Sequence, residues 1–249
     1  MSTSWARIVD QVAPTTRVCA YDRAGQGWSE DTRNPQDGIA AASDLHALLA
    51  AAGEHGPFLL AGHSIGGTYA MTYAERYPAQ VAGMVLLDSS SPRQLEVIPS
   101  YPAQYAMMLR GLAVGPTLTR LGLGPLFGSG SQLPGQAGAQ TQAATSSPRG
   151  ARNSRDELTM IPKTFHEAQA LTTLDDKPLG VLIASESLST GGWAAAQDAL
   201  ARLSSNSVHR NVTSSHAGLL EDAPGAAAST RMILQITAQV REAAAQTVR

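Results

Sequence analysis

Short apolar runs alternate with stretches of helical periodicity along most of the chain. The runs fall at residues 17–21, 57–61, 81–88, 178–184 and 208–212, each the length of a strand. Helical spacing predicts helices over 5–12, 38–52, 67–77, 193–203 and 226–248. In the second of these Leu45, Leu48 and Leu49 are expected on one face, with Gly53 closing the segment; Pro78 terminates the third. Strands and helices that take turns in this way predict an α/β architecture, a mostly parallel sheet with helices on both faces. Residues 89–176 break the rhythm: Pro and Gly are frequent, Met107 and Met108 flank a helical patch, and 128–150 is poor in large apolar residues. That segment reads as a cap inserted over a pocket, part helix and part mobile loop. The remainder, 1–88 and 177–249, reads as the core of one domain without internal repeats.

The run at 57–61 leads directly into Gly62-His63-Ser64-Ile65-Gly66-Gly67, the pattern G-x-S-x-G between a strand and a helix. A serine hydroxyl is a weak nucleophile, and a tight strand-to-helix turn holds it clear of the sheet at a cost in backbone strain. Gly62 and Gly66 are expected to relieve crowding at that turn.

Composition narrows the function classes. With 249 residues, 43% hydrophobic and 15% charged, the chain can bury an ordinary globular core. A net charge of -2 and the lack of a basic or aromatic-interleaved stripe argue against a nucleic-acid partner. The single cysteine, Cys19, excludes an internal disulfide and is expected to be a buried core thiol. No run of about eighteen apolar residues predicts a membrane span, and residues 1–7 lack the hydrophobic region of a signal peptide, so a cytoplasmic location is expected. No His, Asp or Glu spacing points to a metal, and no cofactor is expected.

A nucleophilic serine needs a base, and His216 is the best placed of the six histidines, in a loop after the last strand. His63 adjoins the serine, but its side chain is expected to point away and pack. His46, His55, His166 and His209 read as surface or loop residues. The third member is an acid that accepts a hydrogen bond from the other ring nitrogen of His216. Asp88, at the end of an apolar strand, is the first choice, with capping of nearby amides as its bland alternative. Glu186, after the penultimate strand, is the alternative acid, and Asp198 inside a helix reads as solvated.

With Tyr21-Asp22-Arg23-Ala24-Gly25-Gln26-Gly27-Trp28-Ser29, the motif around Ser64, Val85-Leu86-Leu87-Asp88 and Ser215-His216, the chain resembles the α/β-hydrolases of the capped, single-domain type over nearly its whole length. The resemblance implies a serine hydrolase acting on a small-molecule ester, thioester, lactone or amide through an acyl-enzyme, with Ser64, His216 and Asp88 as the triad. Similarity to a dehalogenase-like branch, whose acid follows the strand after the elbow helix, supports Asp88. That branch uses an aspartate nucleophile, where this chain has Ser64. Family members carry about three further strands ahead of the first helix, and the loop after the third supplies one of two oxyanion donors; the resemblance implies that the other is the N–H of Ile65. On that comparison the chain is expected to be N-terminally incomplete. Tyr101, Tyr105, Met107, Met108 and Leu109 are candidate pocket residues, with cap packing as their other reading. The rival function is a hydrolase-fold protein that binds a small ligand without turnover.

Overall fold

The structure is a computed structural model, and it describes residues 1–33, 35–124 and 131–247. Among the described residues four parallel strands, β1 (Phe58–His63), β2 (Val81–Leu87), β3 (Leu179–Ala184) and β4 (Ser207–Val212), form one sheet in sequence order. Chain order and spatial order coincide, so each crossover steps to the next strand and every strand ends at the same edge. Leu86 pairs with Gly62 on one side and Val181 on the other, which fixes the register around the centre.

The two central strands are unbroken apolar runs because both of their faces are covered. Alternation along β2 divides the core. Met84 and Leu86 pack with Met71, Tyr73 and Ala74 of α3 (Ile65–Arg76), Ala42 of α2 (Gly38–Ala51), and Leu200. Val85 and Leu87 face the opposite way, toward Ile8 and Val12 of α1 (Ala6–Val12) and Met232 and Ile236 of a long C-terminal helix, Ala223–Thr247. The helix over 193–203 is observed at Trp193–Ala201, on the α3 side of the sheet.

Between β2 and β3 the chain forms α4 (Gln94–Val97), α5 (Tyr101–Arg120), α6 (Gly135–Thr145) and α7 (Pro148–Ala168). Helices α5 and α7 pack on each other, and α7 also lies against α3 and α2. The stretch 128–150 is therefore largely helical where it is described; residues 128–130 lie outside the described residues. After β3 come a 3-10 turn, Ser185–Ser189, then α8 (Trp193–Ala201), β4, α9 (Gly218–Glu221) and α10 (Ala223–Thr247). Val248, expected in the last helix, lies outside the described residues.

Three expectations need correction. Residues 17–21 are not a strand: among the described residues β1 is the last strand on that side, and nothing hydrogen-bonds to 17–21 as a ladder partner. Cys19 is consequently exposed, and only Val18 of this run packs against the core. In α2 the buried face runs through Ala41, Ala42, Leu45 and Leu49; Leu48, a further 100° around, is 45% exposed.

Tight approach at the start of α3 separates two neighbouring glycines. A Cβ on Gly67 would lie 1.8 Å from Ser89 Oγ and 2.7 Å from Ser89 Cβ, whereas one on Gly66 meets nothing within 4 Å. Gly67→Ala is expected to destabilise the fold by about 2 kcal/mol or more through overpacking. Gly66→Ala is expected to be neutral or stabilising by up to about 1 kcal/mol, since alanine favours the helix. Urea denaturation of the two variants checks this, and equal effects would refute the packing described.

Candidate functional site

Every strand leaves the sheet at its carboxyl edge, and the four exits bring the polar residues of interest together: Ser64 after β1, Asp88 after β2, Ser187 after β3 and His216 after β4. Ligand sites of open parallel sheets lie at this edge.

Ser64 sits between β1 and α3 with φ 54 and ψ −130, a backbone conformation that a non-glycine residue adopts only under strain. Its N–H donates to the Leu87 carbonyl at 3.2 Å, and its own carbonyl accepts from Ser90 N–H at 3.0 Å and Ser89 Oγ at 3.3 Å. The turn is thus pinned to the end of β2. Gly62 is required, because a Cβ there would lie 2.6 Å from the Gly66 carbonyl and from Gly67 Cα. The expectation that Gly66 relieves crowding fails on the same measure, and the tight position is Gly67, packed on Ser89. Ile65 opens α3, where a first-turn N–H has no intrahelical acceptor.

Asp88 is fully buried and also has positive φ, 42°. Its carboxylate accepts from His216 Nδ1 at 2.6 Å and Ser187 Oγ at 2.5 Å through Oδ2. Through Oδ1 it accepts from Trp193 Nε1 at 2.9 Å and the Ala184 N–H at 3.4 Å. Burial works to raise the carboxyl pKa, but hydrogen bonds from His216, Ser187 and Trp193 prevail and hold it below the usual carboxylate range. Since an ionised carboxylate only accepts, the proton between it and His216 belongs to Nδ1. Among the described residues no hydrogen bond engages Nε2 of His216, whose side chain is 42% exposed.

His63 does not point away from this centre. Its Nε2 lies 2.9 Å from the His216 carbonyl, and the two imidazoles are 4.5 Å apart at a tilt of 36°. Burial, reinforced by the neighbouring His216, pushes the His63 pKa down to about 4. His63 is therefore neutral, and its Nε2–H donates to that carbonyl. Among the described residues no hydrogen bond joins Ser64 to the His216 ring.

The other candidates lie elsewhere. Glu186 is exposed in the 3-10 turn; its N–H donates to the Ser214 carbonyl at 3.3 Å, and among the described residues its side chain makes no hydrogen bond or ion pair with His216. Asp198 is 55% exposed, 3.4 Å from His209 Nδ1. His46 stacks on Tyr77 at 4.2 Å. Beside the site, Ile98, Tyr101, Phe165, Ile183, Trp193 and Ala196 form an apolar cluster that Ile65 and Tyr105 border. Tyr101 belongs to this packing, and Tyr105 donates to the Leu158 carbonyl at 2.9 Å. Met107 and Met108 are exposed, at 67% and 37%, so neither lines an enclosed pocket.

Two features escape a reading of the sequence. The partners Ser187 and Trp193 carry only a faint signal, a tryptophan opening an otherwise alanine-rich helix. The second is a half-buried ionic cluster, in which Glu157 of α7 accepts from Arg23, from Tyr69 Oη at 3.0 Å and from Gln26 at 3.2 Å, with the Arg23 guanidinium 4.5 Å over the Tyr69 ring. A cleft of about 260 Å³ opens beside it, bordered by Arg33, Arg152 and Asp156. Among the described residues no group of three or more His, Cys, Asp or Glu side chains is arranged to hold a metal. No helix among them is long and apolar enough to cross a membrane.

Residues 1–121 match the sequence model of a family described as alpha/beta hydrolase fold. An uncharacterized protein of Schizosaccharomyces pombe is 34% identical over 118 residues, which is 47% of this chain and 21% of that protein's length. A haloalkane dehalogenase variant from Bradyrhizobium elkanii superposes with a TM-score of 0.74 at 20% identity, covering 99% of this chain and 88% of its own. A thermophilic esterase from Thermogutta terrifontis gives a TM-score of 0.63 at 20% identity, covering 96% of this chain and 86% of its own. The match and these superpositions show that the chain has the α/β-hydrolase fold.

Proposed function

We propose that the protein is a serine hydrolase that cleaves a small-molecule carboxylic ester, or a related thioester, lactone or amide, through an acyl-enzyme. The observation that carries this reading is the 2.6 Å bond from His216 Nδ1 to the buried Asp88 carboxylate, at the sheet edge that also holds Ser64 in a strained turn. Likeness to solved hydrolases, the Thermogutta esterase among them, supports it. In this reading Ser64 Oγ attacks the carbonyl carbon while His216 Nε2 takes its proton, and Asp88 stabilises the imidazolium that forms. Charge develops on the substrate oxygen near the N–H of Ile65. His216 returns the proton to the leaving group, and water then attacks the acyl-serine with His216 again as base. No metal or redox step is required, and no cofactor is invoked.

A second reading, a protein that binds a small ligand without turnover, draws on the absence, among the described residues, of a hydrogen bond between Ser64 and the His216 ring. Such contacts are often long before substrate binds.

The test is intact-mass labelling with a fluorophosphonate alongside steady-state hydrolysis of a short p-nitrophenyl ester. A single adduct lost in Ser64→Ala, with kcat lower by about 10⁴-fold or more in His216→Ala and Asp88→Asn, is the expected result. An adduct that persists in Ser64→Ala sinks the assignment. Labelling without turnover selects the binding reading.

Acid sensitivity offers an independent check on His63. Below pH 6.5 the unfolded chain binds a proton that the buried ring refuses until pH falls to about 4. Stability is thus full above pH 6.5 and is lost as pH falls through that window, by about 3 kcal/mol for this one group. Asp88, whose folded pKa is depressed, contributes its own loss only below this range. Urea denaturation at intervals from pH 7 to pH 4 is expected to show that decline in the native protein and a flatter curve in His63→Gln. Equal slopes would remove His63 as the cause.

A further inference from the structure

Among the described residues, three of the four donors to Asp88 come from one short stretch that opens at the last residue of β3. They are the Ala184 N–H, Ser187 Oγ and Trp193 Nε1. One turn further along α8, the fully buried Gln197 donates through Nε2 to the Ser89 carbonyl at 2.7 Å. Ser89 and Ser90 in turn bind the Ser64 carbonyl. Residues 184–197 therefore grip the 88–90 loop, which carries the partner of His216 and anchors the turn at Ser64.

The chemistry of the two side chains suits that task. An indole N–H donates and never accepts, so Trp193 tolerates Asp88 only as an acceptor. Its ring is wedged among Ile98, Tyr101, Phe165, Ile183 and Ala196, which fixes where the N–H points. Ser187 shares Oδ2 with His216 Nδ1, so the oxygen facing the imidazole is set from the far side as well. Its neighbour Glu186 is turned to solvent.

We infer that Trp193 and Ser187 are positioning residues that orient the Asp88 carboxylate and keep it an acceptor, and thereby hold His216 with its proton on Nδ1. The inference rests on the serine-hydrolase reading. It predicts an effect on the chemical step and none on substrate capture, because neither side chain is proposed to touch substrate.

The experiment uses the same p-nitrophenyl ester with Trp193→Phe, Ser187→Ala, Ser187→Thr, and Ser187→Ala combined with Asp88→Asn. The expected result is a kcat about 10- to 100-fold lower in Trp193→Phe and Ser187→Ala, with KM within about twofold, comparable to the loss of a supporting hydrogen bond behind a catalytic group. Ser187→Thr, which retains the hydroxyl, is expected to recover most of the rate. In the Asp88→Asn background Ser187→Ala is expected to have little further effect, because residues acting through one group are not additive. The far-downfield proton resonance of the His216 Nδ1–H is expected to shift in both single variants. Retained kcat in Ser187→Ala, or a loss that adds fully to that of Asp88→Asn, overturns the inference. Ser187→Ala decides the matter even where Trp193→Phe fails to fold. If the native protein instead shows no Ser64-dependent adduct or turnover, the hydrolase reading itself has failed, a result distinct from a fully active Ser187→Ala.

Discussion

A carboxylate with no exposed surface is the constraint around which the carboxyl edge of the sheet is arranged. Leaving an ion of this kind in the interior without partners costs several kcal/mol, and the group would otherwise protonate. Asp88 escapes this because its lone-pair positions are met from β3, the turn after it, α8 and the loop after β4. The strand order makes this affordable in geometry: β2 is flanked by β1 and β3, so its exit lies within reach of the neighbouring exits. Ser64 is tied into the same arrangement through its carbonyl, held by Ser89 and Ser90. The positive φ at both Ser64 and Asp88 marks where the backbone bends to bring these groups together.

Much of this was legible in advance because the signals are local. Unbroken apolar runs identify β2 and β3 as strands covered on both faces, and the spacing of Gly62, Ser64 and the following helix places the turn. The residues brought into contact, Asp88 and His216, each follow a strand that periodicity finds. What failed depended on neighbours. The run at 17–21 has strand composition, but a strand exists only where another pairs with it, and Cys19 is exposed for that reason. Leu48 resembles Leu45 and Leu49 in type, and only the direction of the sheet decides which of them is covered. His63 was expected to face away, whereas the tight turn brings its ring against His216. Trp193 and Ser187 escape a reading of the sequence because a side chain meeting a carboxylate about a hundred residues earlier leaves no periodic trace.

Charge away from this edge follows a different logic. The Arg23, Glu157 and Tyr69 cluster joins the loop after residues 17–21 to α7 and α3, tying together parts of the chain that the sheet does not connect. Burial works against the Arg23 guanidinium, but pairing with Glu157 outweighs it and keeps it protonated. Removing either partner alone would strand the other, the condition under which semi-buried ion pairs matter most.

The donor set around Asp88 also limits how the site can change over evolutionary time or at a designer's hand. A second carboxylate, Glu186, follows β3 one residue from Ser187. Moving the carboxylate there by exchanging two residues looks conservative on paper. Yet Trp193 Nε1, Ser187 Oγ and the Ala184 N–H all aim at the present position, and a neutral replacement would leave donors buried without acceptors, at about 1–3 kcal/mol each. Relocation would therefore have to pass through an intermediate sequence of low stability, unless Trp193 were replaced first.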